Sequence, residues 1–351
     1  MRQIASMRNV MLAIIALVGA CAGQANNGQG ETRAEAADAV LSALAEDGFV
    51  GSVLVACGAT ALLSADYGVG ELDGRTPSYW VASISKQFTA SAVLQLAEQG
   101  RLGLDDPLSR YFPDAPSHKA AISIRQLLTH QSGLRQTYAA DGIADRSDAA
   151  RAIFAQDLAP APGFTYSNDN YTLLAMIVEI VSGETFEDYV RAHLFAPAGI
   201  EQGGFWPEPG AFTPPLLAPQ TGSEGRANWG FRGGHGMRMS VSDLHRWVLA
   251  LDPGRILSAQ SVALLYGPHV EVSGDTAHGM GWFWSDDPRR RWLWTRGSDS
   301  SGANAVLYRL AGTPLTIIAA TNAGPAEAMG AGWSRRARDA LQAIYADDAC
   351  T

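Results

Sequence analysis

Lysine is nearly absent from this chain. Of its 26 basic residues all but Lys86 and Lys119 are Arg. Guanidinium stays protonated in proteins, whereas a buried ammonium can give up its proton, so a Lys in an Arg-rich sequence marks a candidate proton acceptor. Chance placement is the competing reading. Charge is scarce too: Asp, Glu, Lys and Arg make up 17% of 351 residues, with an acidic formal balance of -9. No basic run exceeds Arg289-Arg290-Arg291, which argues against a nucleic-acid partner. The 37 Gly and 17 Pro follow no period, which excludes collagen-like and solenoid architectures. An apolar content of 47% excludes disorder along most of the chain and suffices for one large domain or two smaller ones.

Long apolar runs are also missing. The uncharged stretch Val10 to Ala20 follows Arg2 and Arg8 and is too short to span a bilayer. It predicts a signal peptide over residues 1–20. The run ends in Val18-Gly19-Ala20-Cys21, which resembles a bacterial lipoprotein box with Cys21 as the lipidated residue; ordinary cleavage after Ala20-Cys21-Ala22 is the other reading. The polar segment 21–31 suits a flexible tether, leaving 32–351 as the folded part. Both readings place the protein outside the cytoplasm, in the bacterial envelope or periplasm, touching a membrane only through that lipid. Of three cysteines, Cys57 and Cys350 then remain in an oxidising compartment, either as one disulfide or as free thiols.

Helical spacing predicts a helix over Ala34–Ala45, and the apolar runs Val50–Ala56 and Ala61–Tyr67 predict two strands turned at Cys57-Gly58. A long helical pattern from Ser83 to Gln99 is closed by Gly100, after which Pro, Gly and short helical patterns dominate to roughly residue 275. Short strands follow at Met280–Trp284, Arg291–Arg296, Ala303–Leu310 and Pro314–Ala320, with Ser285-Asp286-Asp287-Pro288 as a turn. Gly332–Tyr345 reads as a terminal helix. Strands at both ends of the chain around a helical insertion predict a mixed α/β (α+β) fold with one antiparallel sheet. Trp282 with Trp284, and Trp292 with Trp294, sit at period-two spacing and are expected to pair across a hairpin as packing, not as a ligand cage.

Chemistry concentrates in Ser83-Ile84-Ser85-Lys86. On a helix, Ser83 and Lys86 share one face, and the helix N-terminus adds positive potential where an oxyanion forms. A serine hydroxyl needs a neighbour to take its proton, and a neutral Lys amine can do so. Most Ser-x-x-Lys stretches are solvated helix turns, so the motif is weak alone. Tyr166-Ser167-Asn168 follows Pro162-Gly163 in an expected extended loop ahead of a helix from Tyr171 to Ser182. There a phenol can relay a proton, and an amide can hydrogen-bond both Lys86 and a substrate.

Together these motifs resemble the serine β-lactamase and penicillin-binding protein superfamily. The flanking runs Val81 to Ala90, Leu104-Asp105-Asp106-Pro107, Ile124 to Leu134 and Pro162 to Tyr171 narrow the likeness to the class C β-lactamase-related serine hydrolases. That branch includes class C β-lactamases, family VIII carboxylesterases, D-aminopeptidases and D-alanyl-D-alanine carboxypeptidases. The resemblance, over about residues 36 to 346, implies a β-lactamase/transpeptidase-like fold. Its antiparallel sheet has about five strands, flanked by N- and C-terminal helices, with a helical lobe at roughly 100–275. It also implies Ser83 as acylated nucleophile, Lys86 as its base, Tyr166 as proton relay and Asn168 as substrate ligand.

The third family motif is Lys or His, any residue, then Gly, on the strand edging the cleft. Here the matching stretch is Trp294-Thr295-Arg296-Gly297-Ser298. If Gly297 is the matching Gly, Thr295 fills the cationic slot and Arg296 points to the opposite sheet face; a shift of one residue brings Arg296 into the cleft instead. The oxyanion hole needs only the backbone N–H groups of Ser83 and, by resemblance, Ser298. His130 and His235 are expected to be structural, since no Gly-x-Ser-x-Gly elbow accompanies them. No zinc-type His-Glu-x-x-His run and no phosphate loop occurs, so no metal or cofactor is expected. The leading expectation is an exported acyl-transferring hydrolase of small esters or D-amino-acid amides and peptides. β-Lactam or D,D-carboxypeptidase chemistry is the alternative, and a catalytically silent envelope binding protein is the reading from another class.

Overall fold

The computed structural model describes residues 32–70, 76–160, 163–206, 228–252, 254–287, 290–299, 302–322, 332–347 and 350. Helix α1 (Arg33–Glu46) starts at a capping box in which Thr32 Oγ accepts the Glu35 N–H and the Glu35 carboxylate accepts the Thr32 N–H. The predicted hairpin follows as β1 (Gly51–Cys57) and β2 (Thr60–Tyr67). Helices α2 (Lys86–Glu98) and α3 (Asn168–Ser182) lie in the mainly helical stretch that comes next. The later strands are β3 (Val270–Ser273), β4 (Thr276–His278), β5 (Phe283–Asp287), β6 (Arg290–Ser298), β7 (Asn304–Leu310) and β8 (Leu315–Thr321). Helix α4 (Trp333–Tyr345) follows them.

These strands form one antiparallel sheet in the order β2, β1, β8, β7, β6, β5, β4, β3. Side-chain alternation divides its residues between two cores. Leu315, Ile317 and Ala319 of β8 join Val53 and Val55 of β1 against Leu41 of α1 and Leu341 of α4. Ile318 and Ala320 join Leu54, Ala56 and Leu307 against Phe88 of α2 and Leu174 of α3. Every residue of β8 is therefore buried, as a strand covered on both faces must be. Full burial of an Ile contributes roughly 1.5–3 kcal/mol, so Ile317 and Ile318 anchor the sheet to both layers. At the edge of the helical side, the chain entering α2 packs on β6, and the candidate site forms there.

The sheet departs from expectation in several places. Among the described residues it has eight strands instead of about five, and β3 begins inside the stretch expected to be helical. β3 and β4 are only four and three residues long, joined by a turn at Gly274, and half exposed, so they carry no periodic signal. Ser285 to Asp287 belong to β5 instead of forming a turn. The tryptophans do not face one another either. Gly281, at φ 82°, bends the chain so that Trp282 falls outside β5, and the register sets Phe283 opposite Trp294 and Ser285 opposite Trp292. Trp294 instead stacks on Phe283 and Tyr308, at centroid distances of 4.6 and 5.8 Å. Cys57, at the end of β1, is joined to Cys350 in a disulfide with Cα atoms 5.5 Å apart. The expected signal segment and Cys21 lie outside the described residues. Among the described residues no helix is long and apolar enough to cross a membrane.

Candidate active site

Three short strands, Tyr79–Trp80, Met237–Met239 and Gly204–Phe205, pair beside the main sheet and deliver the chain to a 3-10 turn over Ala82–Ser85. The Val81 N–H donates to Met237 O at 3.0 Å, fixing the entry. Ala82 then adopts φ 44°, a left-handed conformation that is strained by about 1 kcal/mol or more for a residue with a Cβ. Ser85 holds it there: its Oγ donates to Ala82 O at 2.6 Å and accepts the Met237 N–H at 3.1 Å. Ser85 is thus buried and committed to the backbone, while Ser83 remains partly exposed.

Lys86 opens α2 with its side chain only 2% exposed. Its Nζ lies 3.2 Å from Ser83 Oγ and donates to Asn168 Oδ1 at 2.5 Å and to Gly234 O at 2.7 Å. Burial pushes its pKa well below the ordinary lysine value. A neutral amine has two N–H bonds and one lone pair. With Asn168 and Gly234 taking the donors, the lone pair is left facing Ser83. The Tyr166 hydroxyl donates to the same Ser83 Oγ at 2.7 Å. Burial pushes its pKa up, against the smaller opposing effects of the Ser83 hydrogen bond and Arg296, so the phenol keeps its proton at neutral pH. A hydroxyl with a neutral amine and a protonated phenol on one oxygen can lose its proton to the first and be linked through the second to a leaving group.

Asn168 is the first residue of α3, not part of an extended loop, because Ser167 Oγ accepts the Asp169 N–H and caps the helix earlier than expected. Its backbone N–H donates to Gln136 Oε1 at 2.5 Å, which ties down the start of the helix that carries the amide on Lys86. On β6, a Cβ built on Gly297 would fall 2.0 Å from Val81 O and 2.8 Å from Ser83 N, so only Gly lets the strand lie against the turn that carries Ser83. Thr295 shares that face and is buried at 2% exposure. Arg296 faces the other way and is exposed, its guanidinium 5.5 Å from the Trp294 ring centroid, yet its charge still reaches Tyr166. Ser298 is exposed at the end of β6, opposite Asn304 of β7. Gly297 thus lies against the turn, with Thr295 on the same face of the strand and Arg296 on the opposite one.

Neither His130 nor His235 hydrogen-bonds Ser83 among the described residues. His235 packs on Trp80 and Phe231, and burial, with Lys86 nearby, pushes its pKa down to about 3. The Gly234 carbonyl and Gln136 are parts of the site that sequence reading missed. A signal for the first exists in the Gly233-Gly234 pair: Gly233 has φ 77°, and a Cβ there would meet Tyr171 O at 2.2 Å. Among the described residues no group of three or more His, Cys, Asp or Glu could hold a metal ion.

The chain matches the family model described as Beta-lactamase over residues 48–342 and belongs to that family, whose members are serine hydrolases. Its relatives include penicillin-binding protein 4* of Bacillus subtilis strain 168, 27% identical over 311 residues, with 78% of this chain and 68% of that protein covered. PbpX of the same organism is 29% identical over 259 residues, covering 68% of this chain and 63% of PbpX. The chain therefore spans about two thirds, 63% to 68%, of the length of these curated relatives. In fold it is similar to the D-amino acid amidase of Ochrobactrum anthropi SV3, with a TM-score of 0.71, 21% identity, and 89% of this chain and 99% of the amidase covered.

Proposed function

We propose that the protein is an exported serine hydrolase acting through an acyl-enzyme on Ser83. Neutral Lys86 takes the hydroxyl proton as Ser83 Oγ attacks an acyl carbonyl, and Tyr166 passes a proton to the leaving group. The backbone N–H groups of Ser83 and Ser298 receive the oxyanion, and Asn168 holds Lys86 while offering its amide to the substrate. Water then attacks the acyl carbon, the acid leaves, and Ser83 regains its proton. The observation that carries this reading is the convergence of Lys86 Nζ and Tyr166 OH on Ser83 Oγ, at 3.2 and 2.7 Å, with Lys86 buried.

The substrate is a small ester or a D-amino-acid amide or peptide in preference to a β-lactam. Thr295 offers a neutral hydroxyl where the resemblance expects Lys or His, and the fold of a D-amino acid amidase agrees with an amide substrate. One observation favours a second reading, β-lactam or D,D-carboxypeptidase activity. Arg296 is an exposed cation whose charge reaches Tyr166, and it can attract a substrate carboxylate. A complete proton-transfer set around Ser83 speaks against a silent binding protein. The bond between Cys57 and Cys350, together with the signal-like segment 1–20, supports export, with Cys21 as the candidate anchor. Specificity constants for p-nitrophenyl butyrate, a D-amino-acid p-nitroanilide and nitrocefin test the reading. The first two are expected to exceed nitrocefin, with all turnover lost in Ser83→Ala. Preferred nitrocefin turnover would favour the second reading, and turnover surviving in Ser83→Ala would end both.

A further inference from the structure

The short helix Ile124–Leu128 ends in a manner that ordinarily calls for glycine. The Gln131 N–H donates to Gln126 O at 2.8 Å and the His130 N–H to Leu127 O at 3.2 Å, the paired bonds of a Schellman motif. His130 occupies its left-handed position at φ 57°. Glycine would sit there without strain, so the backbone alone gives no reason for an imidazole, and that imidazole is fully buried.

Between its backbone and its ring, His130 grips the chain on both sides of Tyr166, and the ring supplies the second of the two bonds. The carbonyl of His130 accepts the N–H of Thr165 at 2.8 Å, and its Nδ1 accepts the N–H of Ser167 at 3.3 Å. Its ring lies 4.5 Å, centroid to centroid, from the ring of Tyr166. Nδ1 also accepts from Asn170 Nδ2 at 3.0 Å, an orientation set by Ser132 Oγ donating to Asn170 Oδ1 at 2.5 Å. Two donors on Nδ1 require a lone pair there, so the proton sits on Nε2 and the ring is neutral. Its surroundings agree: the rings of Tyr171, His278 and Phe164 enclose it, and burial, His278 and Lys86 all disfavour an imidazolium.

We propose that His130 is a positioning residue for Tyr166, its backbone carbonyl holding residue 165 and its neutral imidazole holding residue 167 so that the phenol is kept on Ser83. This rests on the reading of Tyr166 as proton relay. His130 acts through Ser167 and the Tyr166 ring, and the hydrogen bond it supplies matters to turnover more than to substrate binding.

His130→Asn and His130→Gly separate the clamp from the backbone, because both residues accept a left-handed conformation and only Asn brings an oxygen acceptor toward the Ser167 N–H. Should the Gly variant fail to fold, His130→Phe, which keeps a ring and drops the acceptor, takes its place. Each is compared with wild type and Tyr166→Phe for kcat and KM on p-nitrophenyl butyrate, and for thermal melting. The expected result is a loss of about tenfold or more in kcat for the variant without an acceptor, with KM within about threefold, and recovery of at least about threefold of that loss in His130→Asn. Equal kcat in the two His130 variants, or wild-type kcat in the one without an acceptor, would overturn the clamp while leaving the relay intact. Wild-type kcat in Tyr166→Phe would overturn the relay itself, and the clamp with it.

Discussion

Arg at position 86 would keep donors for Asn168 Oδ1 and Gly234 O but could not release a proton. Those two acceptors lie 2.5 and 2.7 Å from Nζ, so the guanidinium has partners and Lys86→Arg is expected to fold. What it lacks is the lone pair that the neutral amine presents to Ser83 Oγ at 3.2 Å. A positioned general base contributes roughly 100-fold to 10,000-fold, so the expected loss is at least about 100-fold, or roughly 2.7 kcal/mol of barrier. The assay is kcat/KM for p-nitrophenyl butyrate against pH. In the wild type, raising the pH deprotonates Lys86, so activity climbs along an acid limb below the ordinary lysine value, where burial has moved the group. That limb should vanish in Lys86→Arg, leaving a low, flat profile. The sign of the stability effect follows as well. Because the native pKa of Lys86 is lowered, the unfolded chain binds a proton the native one does not, and stability is lost as pH falls through the native value. Lys86→Met should therefore melt with less pH dependence than wild type. Turnover by Lys86→Arg within tenfold of wild type, with the same acid limb, would refute the assignment of the base.

Other consequences are as direct. Gly297→Ala places a methyl 2.0 Å from Val81 O and should lower kcat/KM by about tenfold or more through displacement of β6 from the turn, with a smaller change in melting temperature. Cys57→Ser opens a bond spanning 293 residues and should destabilise the fold by about 2–4 kcal/mol in denaturant titrations; two free thiols in non-reduced wild-type protein would contradict the linkage. Thr295→Lys should raise activity on nitrocefin relative to p-nitrophenyl butyrate by about tenfold, since a charge-assisted bond replaces a neutral one. A selective collapse of nitrocefin turnover in Arg296→Ala would instead make Arg296 the carboxylate partner.

Much of the layout was legible because it rests on local pattern. Continuous apolar runs in β1, β7 and β8, helical spacing in α1 and α4, and Gly100 after α2 each leave a mark along the chain. β3 and β4 leave none, being short and half exposed. The tryptophan register failed because a single glycine, Gly281, moved the start of β5. In the site, Ser83, Lys86, Tyr166 and Asn168 could be named from local motifs. The Gly234 carbonyl, Gln136 and the wrapping of His130 around Tyr166 could not, because they depend on segments brought together only by folding. Ser85 could be set aside only once its hydrogen bonds to Ala82 and Met237 were visible.

The central claim is that Ser83 Oγ is the acylated atom, and peptide mapping after reaction with a fluorophosphonate addresses it most directly. One equivalent of probe should be found on Ser83, with none on Ser85, and the adduct should disappear in Ser83→Ala. An adduct on Ser85, or labelling and turnover that persist in Ser83→Ala, would contradict the account.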